Sequence, residues 1–488
     1  MAKFIGRKAE LQTLKNLLNK RSASLIVIKG RRRIGKSRLL EEFSHLFQNA
    51  YVFSGLPPIP DDTEDQVTAQ SQREEFARQL NKQIKITDIN KDDWSDLFWC
   101  LAQHTKQGQV LIILDEISWM GSRDADFLGK IKNAWDLHFK KNDQLILAIC
   151  GSASAWIDKN ILSSTGFLGR ESLNLTLEEL PLHDCAEFWN NENTRVSAHE
   201  KLKLLSITGG IPRYLEHINP LLSAEDNIQQ LCFNQSGILF GEFEKIFSDL
   251  FHSKNTLYKN IVSRLADGIS DQETICKATG LKRGGDISEY LDDLIKSGFI
   301  SRDFTWNIKD AAPSKLSHYR LKDNYSRFYL KYIMPNLSRI ELGNMKNISL
   351  SSLKNWNTIM GLQVENLVLN NRHLIKSALR IDLNDIICDN PFFQRKTTKQ
   401  AGCQIDYLIQ TKHNTLYICE IKYSKNEIGV QVIEEMNEKI KRLNIPKNFS
   451  SRVILIHVNG ISEALEEKQF FSNTIDFGAF LKPVCAAI

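Results

Sequence analysis

The sequence has no long hydrophobic run. Its richest stretches, Val110–Leu114 and Leu145–Cys150, fall far short of the roughly 20 apolar residues that cross a bilayer, so no membrane is expected. The opening residues, MAKFIGRKAELQTL, hold no apolar leader core, and a cytoplasmic location is the expectation. No CxxC pair occurs among the nine cysteines. Their odd number and scatter exclude a disulfide framework or a zinc site and suit reduced thiols. No fixed-period repeat is visible. Charge imbalance is small, at +5, which permits nucleic-acid contact without demanding it. A chain of 488 residues with 42% hydrophobic and 25% charged residues excludes general disorder and suits about two to four globular domains.

The first third holds a phosphate-binding pattern. The apolar run Leu25–Ile28 leads into GRRRIGKS, Gly30 to Ser37, and then into the helical pattern RLLEEFSHLF. In a strand–loop–helix context, Gly30 and Gly35 let backbone N–H groups face phosphates at a helix N-terminus. Lys36 would neutralise the β/γ-phosphates and Ser37 would hold Mg²⁺. Arg31–Arg33 are further cations that either touch phosphate or are solvated. In VLIILDEISWM, residues 110–120, Asp115 and Glu116 close a strand at the end that opens on the ligand crevice of a parallel sheet. Asp115 is placed to bind Mg²⁺ through water, and Glu116 to polarise the attacking water as general base. A third strand, LILAIC, runs into GSAS. There Ser152 or Ser154 is either a γ-phosphate sensor or a turn serine. In GFLGR, Arg170 is either an arginine finger or a surface arginine.

Together FIGR (Phe4–Arg7), the GKS loop, LDEISWM, ICGSAS, GFLGR and TGGIPRYL (Thr208–Leu215) resemble the AAA+-related P-loop ATPases of archaea and bacteria, close to the signal-transducing STAND branch. The resemblance implies ATP as ligand, with Gly6 and Arg7 beside the adenine. It also implies that Pro212 packs on the nucleotide from a lid helix and that Arg213 is a second sensor. Locally, TGGIP is a turn into a helix, since Gly209–Gly210 can turn the chain and Pro212 suits the first helical position.

Residues 256–321 alternate as three short helices, the second capped by Ser270, followed by the strands FISRDF and LSHYRL around the polar loop Asn307–Ser314. That order is a winged helix-turn-helix. A base-reading helix presents basic and amide groups. The third helix here carries Asp286, Glu289, Asp292 and Asp293, with Lys282 and Arg283 only at its start. A protein-contact or domain-coupling role, toward a regulatory partner, is therefore expected over DNA reading. Tyr325, Phe328, Tyr329 and Tyr332 form an apolar helix face suited to core packing. Residues 337–355 read as a polar connector.

In the last quarter, GLQVENLVLNNRHL (361–374) reads as a helix with Leu362, Glu365, Leu369 and Arg372 on one broad face. Glu365 there needs a partner to offset its burial. Residues 403–425 read as a hairpin, with Asp406 at the start of one strand and Glu420 and Lys422 closing the other. Alternation puts Glu420 and Lys422 on one face. A helix over 427–443 and a strand RVILIHV follow. This order resembles the PD-(D/E)xK nuclease fold, and the whole chain resembles archaeal-type ATPases with a C-terminal nuclease-like domain (the DUF234 type). The resemblance implies that Asp406 and Glu420 hold Mg²⁺ or Mn²⁺, that Lys422 positions the attacking water and offsets charge, and that Glu365 completes the outer shell. Gln431 matches the glutamine often found there. The proline that usually precedes the aspartate is replaced by Ile405.

The expected fold is an α/β multidomain chain. It comprises a P-loop ATPase core with a parallel sheet (1–190), a helical lid (191–250), a winged helix-turn-helix (251–322), a connecting helix and linker (323–355) and a restriction-endonuclease-like α/β domain (356–488). The expected function is Mg²⁺-dependent ATP hydrolysis coupled to a DNA nuclease in repair, recombination or defence, with ATP gating access to the hairpin. The alternative is a STAND-like switch whose terminal domain binds without cleaving. A third option is an ATP-dependent remodeller of partner proteins. Were Arg170 a finger acting in trans, turnover would require an oligomer.

Overall fold

The computed structural model describes residues 3–57, 67–86, 89–251, 255–282, 284–398 and 400–482. The chain divides into two compact units. One is residues 1–178 with 296–298, and the other is 179–295 with 299–488. The first unit ends at Glu178, ahead of residue 190, because the helices that follow pack with the later part of the chain.

The first unit is built on strands β1 (Ser24–Gly30), β2 (Asn49–Ser54), β3 (Val110–Asp115), β4 (Leu145–Gly151) and β5 (Glu171–Leu177). All are parallel, in the order β2-β3-β4-β1-β5. The apolar runs LIVI, VLIIL and LILAIC are buried along their length, as parallel strands covered on both faces must be. Helices Ala69–Ile84, Trp94–Gln103 and Phe127–Leu137 supply Phe76, Trp94, Phe98 and Phe127 to the core shared with β1, β3 and β4. Parallel strands place their C-terminal ends on one edge, and β4 lies between β1 and β3 there. Gly30 is required at the exit of β1. A Cβ at that position would stand 2.5 Å from the Leu177 carbonyl oxygen.

In the second unit, helices Asn255–Ala266, Gln272–Thr279 and Gly285–Lys296 precede an antiparallel pair, β6 (Ile300–Trp306) and β7 (Pro313–Leu321). Arg283 lies outside the described residues. Ser270 is not the cap of the second helix. Its backbone pairs with Tyr319 as a short bridge to β7, so the cap passes to Asp271, whose carboxylate accepts the Thr274 amide at 2.8 Å. Tyr325, Phe328, Tyr329 and Tyr332 are all buried.

The C-terminal sheet has the order β12-β11-β10-β9-β8. It is made of β8 (Ile386–Gln394), β9 (Cys403–Thr411), β10 (Thr415–Ile421), β11 (Ser450–His457) and β12 (Asn473–Asp476). β8, β9 and β10 are antiparallel neighbours, and β10, β11 and β12 are parallel. The hairpin β6–β7 drives Trp306 and Ile308 into the core of this sheet, beside Phe392, Ile405 and Leu408. The Trp306 indole donates to Gln410 Oε1 at 2.6 Å. The helix expected over 361–374 is Trp356–Asn370, followed after Asn371 by Arg372–Ala378. Its Gln363 and Asn366 are fully buried in a polar network. Arg327 donates to Gln363 Oε1 at 2.7 Å, Asn366 to the Leu321 carbonyl at 2.7 Å, and Arg320 to both Asn366 and Asp303. Buried polar groups satisfied in this way fix one arrangement of neighbours, here the helix against the end of β7. Among the described residues no helix is long and apolar enough to cross a membrane, and none of the eight described cysteines is in a disulfide.

Candidate functional site

At the C-terminal edge of the first sheet the loop after β1 turns into helix Lys36–Ser44, with Gly35 at φ 91° as its cap. The Lys36 ammonium is buried. It donates to the carbonyls of Gly30 (3.0 Å) and Arg31 (3.1 Å) and to Ser152 Oγ (2.9 Å). Ser152 in turn donates from its hydroxyl to Glu116 Oε1 (2.8 Å) and from its amide to Glu116 Oε2 (3.1 Å). Because β4 separates β1 from β3, Ser152 stands between the loop lysine and the acidic pair. Ser154, the other serine of GSAS, is buried with a hydroxyl that has no hydrogen-bond partner among the described residues. Ser37 Oγ donates to Asp115 Oδ2 at 2.8 Å. A hydroxyl and a carboxylate side by side are hard oxygen donors of the kind Mg²⁺ takes, so this pair fits that ion. Glu116 itself has φ 51° and ψ 51°. A left-handed backbone on a residue with a side chain is a strain of about 1–3 kcal/mol that the surroundings must hold.

Gly6 and Arg7 also have left-handed backbones, at φ 71° and 58°. The buried Arg7 guanidinium donates to Ile34 O at 3.0 Å, to Glu178 O and to Glu10. Arg7 thus ties the N-terminal segment to the phosphate loop's own backbone and to the chain just after β5. Arg170 donates to Asp136 from Nε (3.1 Å) and Nη2 (2.9 Å), and this pairing holds the Asp136 carboxyl well below its ordinary range. Pro212 and Arg213 belong to the second unit. Pro212 opens the short helix Pro212–Leu215, and Arg213 pairs with Glu216 at 3.1 Å. Gly209, at φ 58°, and Gly210 make the turn before it. A Cβ on Gly210 would lie 2.3 Å from the Leu180 carbonyl oxygen.

In the C-terminal sheet β9 and β10 bring Asp406 and Glu420 together. The strands pair up to Tyr407 opposite Cys419, and next to it Asp406 Oδ2 accepts the Ile421 amide at 2.9 Å. Lys422 Nζ lies 3.1 Å from Glu420 Oε1 and also pairs with Glu435. Burial, then the Glu420 carboxylate, pushes Asp406 above its ordinary range. Burial, then Asp406, does the same to Glu365. Glu365 therefore faces charge rather than the apolar positions its helix suggested, with Arg320, Arg327 and Asp303 also acting on it. Gln431 is the first residue of helix Gln431–Arg442. From the last turn of that helix comes a group the sequence did not flag. Lys439 Nζ lies 3.5 Å from Asp406 Oδ1 and forms a close ion pair with Glu420 Oε2. Two facing carboxylates are hard oxygen donors of the kind a divalent cation takes. Among the described residues, no three His, Cys, Asp or Glu side chains gather as a metal cluster.

Hairpin β6–β7 and the end of β8 border a cavity of about 620 Å³ that carries Arg302, Lys315 and Arg395. An adjoining cavity is lined by Ser270, His318 and Arg395. Among the described residues, Ser270 Oγ, Thr305 Oγ1 and His318 Nδ1 are buried there without a hydrogen-bond partner.

Residues 4–218 match the family model of an ATPase domain predominantly from Archaea. An uncharacterised protein of Methanocaldococcus jannaschii is 28% identical over 345 residues, which cover 70% of this chain and 71% of that one. An uncharacterised ATP-binding protein of the same organism is 45% identical over 40 residues, 8% of this chain and 68% of that one. Among solved structures, a Walker-type ATPase of Pyrococcus abyssi overlays with TM-score 0.49 at 17% identity, covering 67% of this chain and 96% of its own. The ORC2 protein of Aeropyrum pernix overlays with TM-score 0.40 at 13% identity, covering 70% and 96%. Neither overlay is close enough to carry function.

Proposed function

We propose that the protein is a Mg²⁺-dependent ATPase whose nucleotide cycle governs a nuclease-like domain acting on nucleic-acid phosphodiesters. The observation that supports hydrolysis is the unbroken chain Lys36–Ser152–Glu116 beside the pair Ser37–Asp115. Glu116 accepts the proton of the attacking water. Ser152 holds that carboxylate through two donors and links it to the lysine that answers the phosphate charge. A γ-phosphate that draws Lys36 toward itself therefore loosens one hold on Ser152, so the base and the substrate are coupled through a single hydroxyl. Ser37 and Asp115 would hold Mg²⁺, which when bound offsets charge on the phosphates. Gly6, Arg7, Pro212 and Arg213 keep the nucleotide roles implied by the resemblance. Arg170 is free for a finger role only after leaving Asp136. The test is phosphate release by the purified chain with Mg²⁺. Lys36→Ala should lower it at least about 100-fold and remove nucleotide binding; wild-type turnover in Lys36→Ala would remove the P-loop from the account.

The three helices and hairpin of residues 255–321 are read as a winged helix-turn-helix. Its third helix points to a coupling role, and Trp306 in the C-terminal core gives that coupling a physical basis. Nucleic acid is better served by the hairpin, where Arg302, Lys315 and Arg395 border a common cavity. Asp406, Glu420 and Lys422 are read as the acid–acid–lysine set of a PD-(D/E)xK-like domain, with Glu365 behind them. When bound, Mg²⁺ or Mn²⁺ supplies an acidified water and charge stabilisation at the scissile phosphate. Asp406 and Glu420 would hold the ion, and Lys422 would orient the water. The coupling route proposed here runs through helix Ala198–Thr208. His199 stacks on Tyr423 with ring centres 5.4 Å apart, and Asn459 Nδ2 lies 3.0 Å from His199 Nδ1. Tyr423 directly follows Lys422, so a shift of this helix reaches the lysine through one residue. A second reading is favoured by one observation, the Lys439 ammonium between Asp406 and Glu420. In that reading the domain binds without cleaving and the protein is a signalling switch.

A further inference from the structure

The four carboxylate oxygens of Asp406 and Glu420 all have donors. Asp406 Oδ2 takes the Ile421 amide and Glu420 Oε1 takes Lys422. The two remaining oxygens, Asp406 Oδ1 and Glu420 Oε2, are bridged by a single group, the ammonium of Lys439. A cation that touches one oxygen of each facing carboxylate does what a bridging divalent ion would do at the same atoms. Glu420 is 3% exposed and Asp406 15%, so the negative charge is largely withdrawn from water and needs a counter-charge. Lys439 is 28% exposed and stands in the last turn of helix Gln431–Arg442. Its flexible four-carbon stem therefore has a path from the carboxylates to solvent without unwinding the helix. Lys422 is held differently, between Glu420 and Glu435, and does not touch Asp406 within ion-pair distance among the described residues.

We infer that Lys439 is a built-in counter-ion that competes with divalent metal for Asp406 and Glu420. In the resting protein the ammonium neutralises the pair and holds the site closed to metal. Metal enters when Lys439 leaves for solvent, so metal affinity is set by this residue as much as by the ligands. The inference rests on the reading of Asp406 and Glu420 as a cation site. It adds a residue from a helix that otherwise looks like a solvated charged surface.

The experiment is a calorimetric titration of Mn²⁺ into full-length protein without nucleotide. Wild type is compared with Lys439→Met, Lys439→Gln and Lys439→Arg, and Asp406→Asn identifies the heat that belongs to this site. Lys439→Met and Lys439→Gln should bind Mn²⁺ about tenfold more tightly than wild type or better, a difference well within reach of one displaced ion pair. Lys439→Arg keeps the charge and should stay near wild type. Thermal unfolding with and without Mn²⁺ gives a second readout. The neutral variants should gain more from the ion than wild type does, because their carboxylates have lost the Lys439 ammonium that bridges them. If the neutral variants bind no more tightly than wild type while Asp406→Asn loses the site, the competition is refuted and the cation site stands. If no protein shows Mn²⁺ binding that depends on Asp406, the reading of the site itself is refuted. Should Lys439→Met fold poorly, Lys439→Gln keeps a hydrogen-bond donor and decides the question.

Discussion

Glu116→Gln leaves ATP bound and lowers steady-state phosphate release by about 10²–10⁴-fold, the range expected for loss of a positioned general base. Glutamine matches the shape of the side chain and keeps one oxygen toward Ser152, which donates to both carboxylate oxygens in the wild type. It cannot take a proton from water. Nucleotide affinity should change by no more than about threefold, a fraction of the 1.4 kcal/mol that a tenfold change represents. The Glu116 carboxylate accepts from Ser152, and its amide donates to Asp115 Oδ1. The strained left-handed backbone of Glu116 is retained by the substitution, so folding is not at issue. Equilibrium binding of a fluorescent ATP analogue and a phosphate-release assay separate the two effects. Full hydrolysis in Glu116→Gln would assign the base elsewhere. Loss of binding would show that Glu116 shapes the loop rather than the chemistry.

Asp406→Asn raises the thermal midpoint of the metal-free protein and abolishes the further rise produced by Mn²⁺. The first effect follows from Asp406 standing above its ordinary carboxylate range through burial and the neighbouring Glu420. In its charged form at neutral pH it therefore works against the fold. Asparagine can still accept the Ile421 amide that Asp406 Oδ2 accepts at 2.9 Å, while the repulsion with Glu420 and Glu365 is gone. The gain is read as a higher midpoint of the metal-free variant than of metal-free wild type. The second effect follows from ligand linkage, in which an ion at about 100 times its dissociation constant adds about 2.7 kcal/mol. A variant that is less stable than wild type without metal would show that the carboxylate is paired better than its surroundings suggest. A Mn²⁺ increment that survives would place the ion elsewhere.

The residues of the first site were legible because P-loop chemistry is local. GRRRIGKS and LDE each sit on one strand end, and their spacing announces a parallel sheet. What was not legible is which serine of GSAS faces the site. That depends on β4 lying between β1 and β3, a matter of strand order that no local pattern encodes. Asp406, Glu420 and Lys422 were visible through alternation on a hairpin. Lys439 was hidden because a lysine in the last turn of an amphipathic helix reads as solvated, and only packing against β9 and β10 turns it inward. Gln363 and Asn366 were passed over for the opposite reason. On a helix with many apolar residues they look like interruptions, yet they hold the helix to the end of β7. Trp306 lay just past the expected strand FISRDF, and its partners belong to another sheet about 90–100 residues further along the chain, beyond the reach of short-range periodicity.

The proposed function joins two sites on one chain, and one assay addresses both. Labelled single-stranded, duplex and branched DNA would be incubated with the protein at saturating Mn²⁺, without nucleotide and with ATP. Wild type would be run beside Asp406→Asn and the ATP-trapping Glu116→Gln. The account predicts cleavage that disappears in Asp406→Asn and differs between the nucleotide-free and the ATP-trapped protein. Intact ATP hydrolysis with no cleavage of any substrate would contradict it and leave the second domain a binding module with Lys439 as its permanent cation.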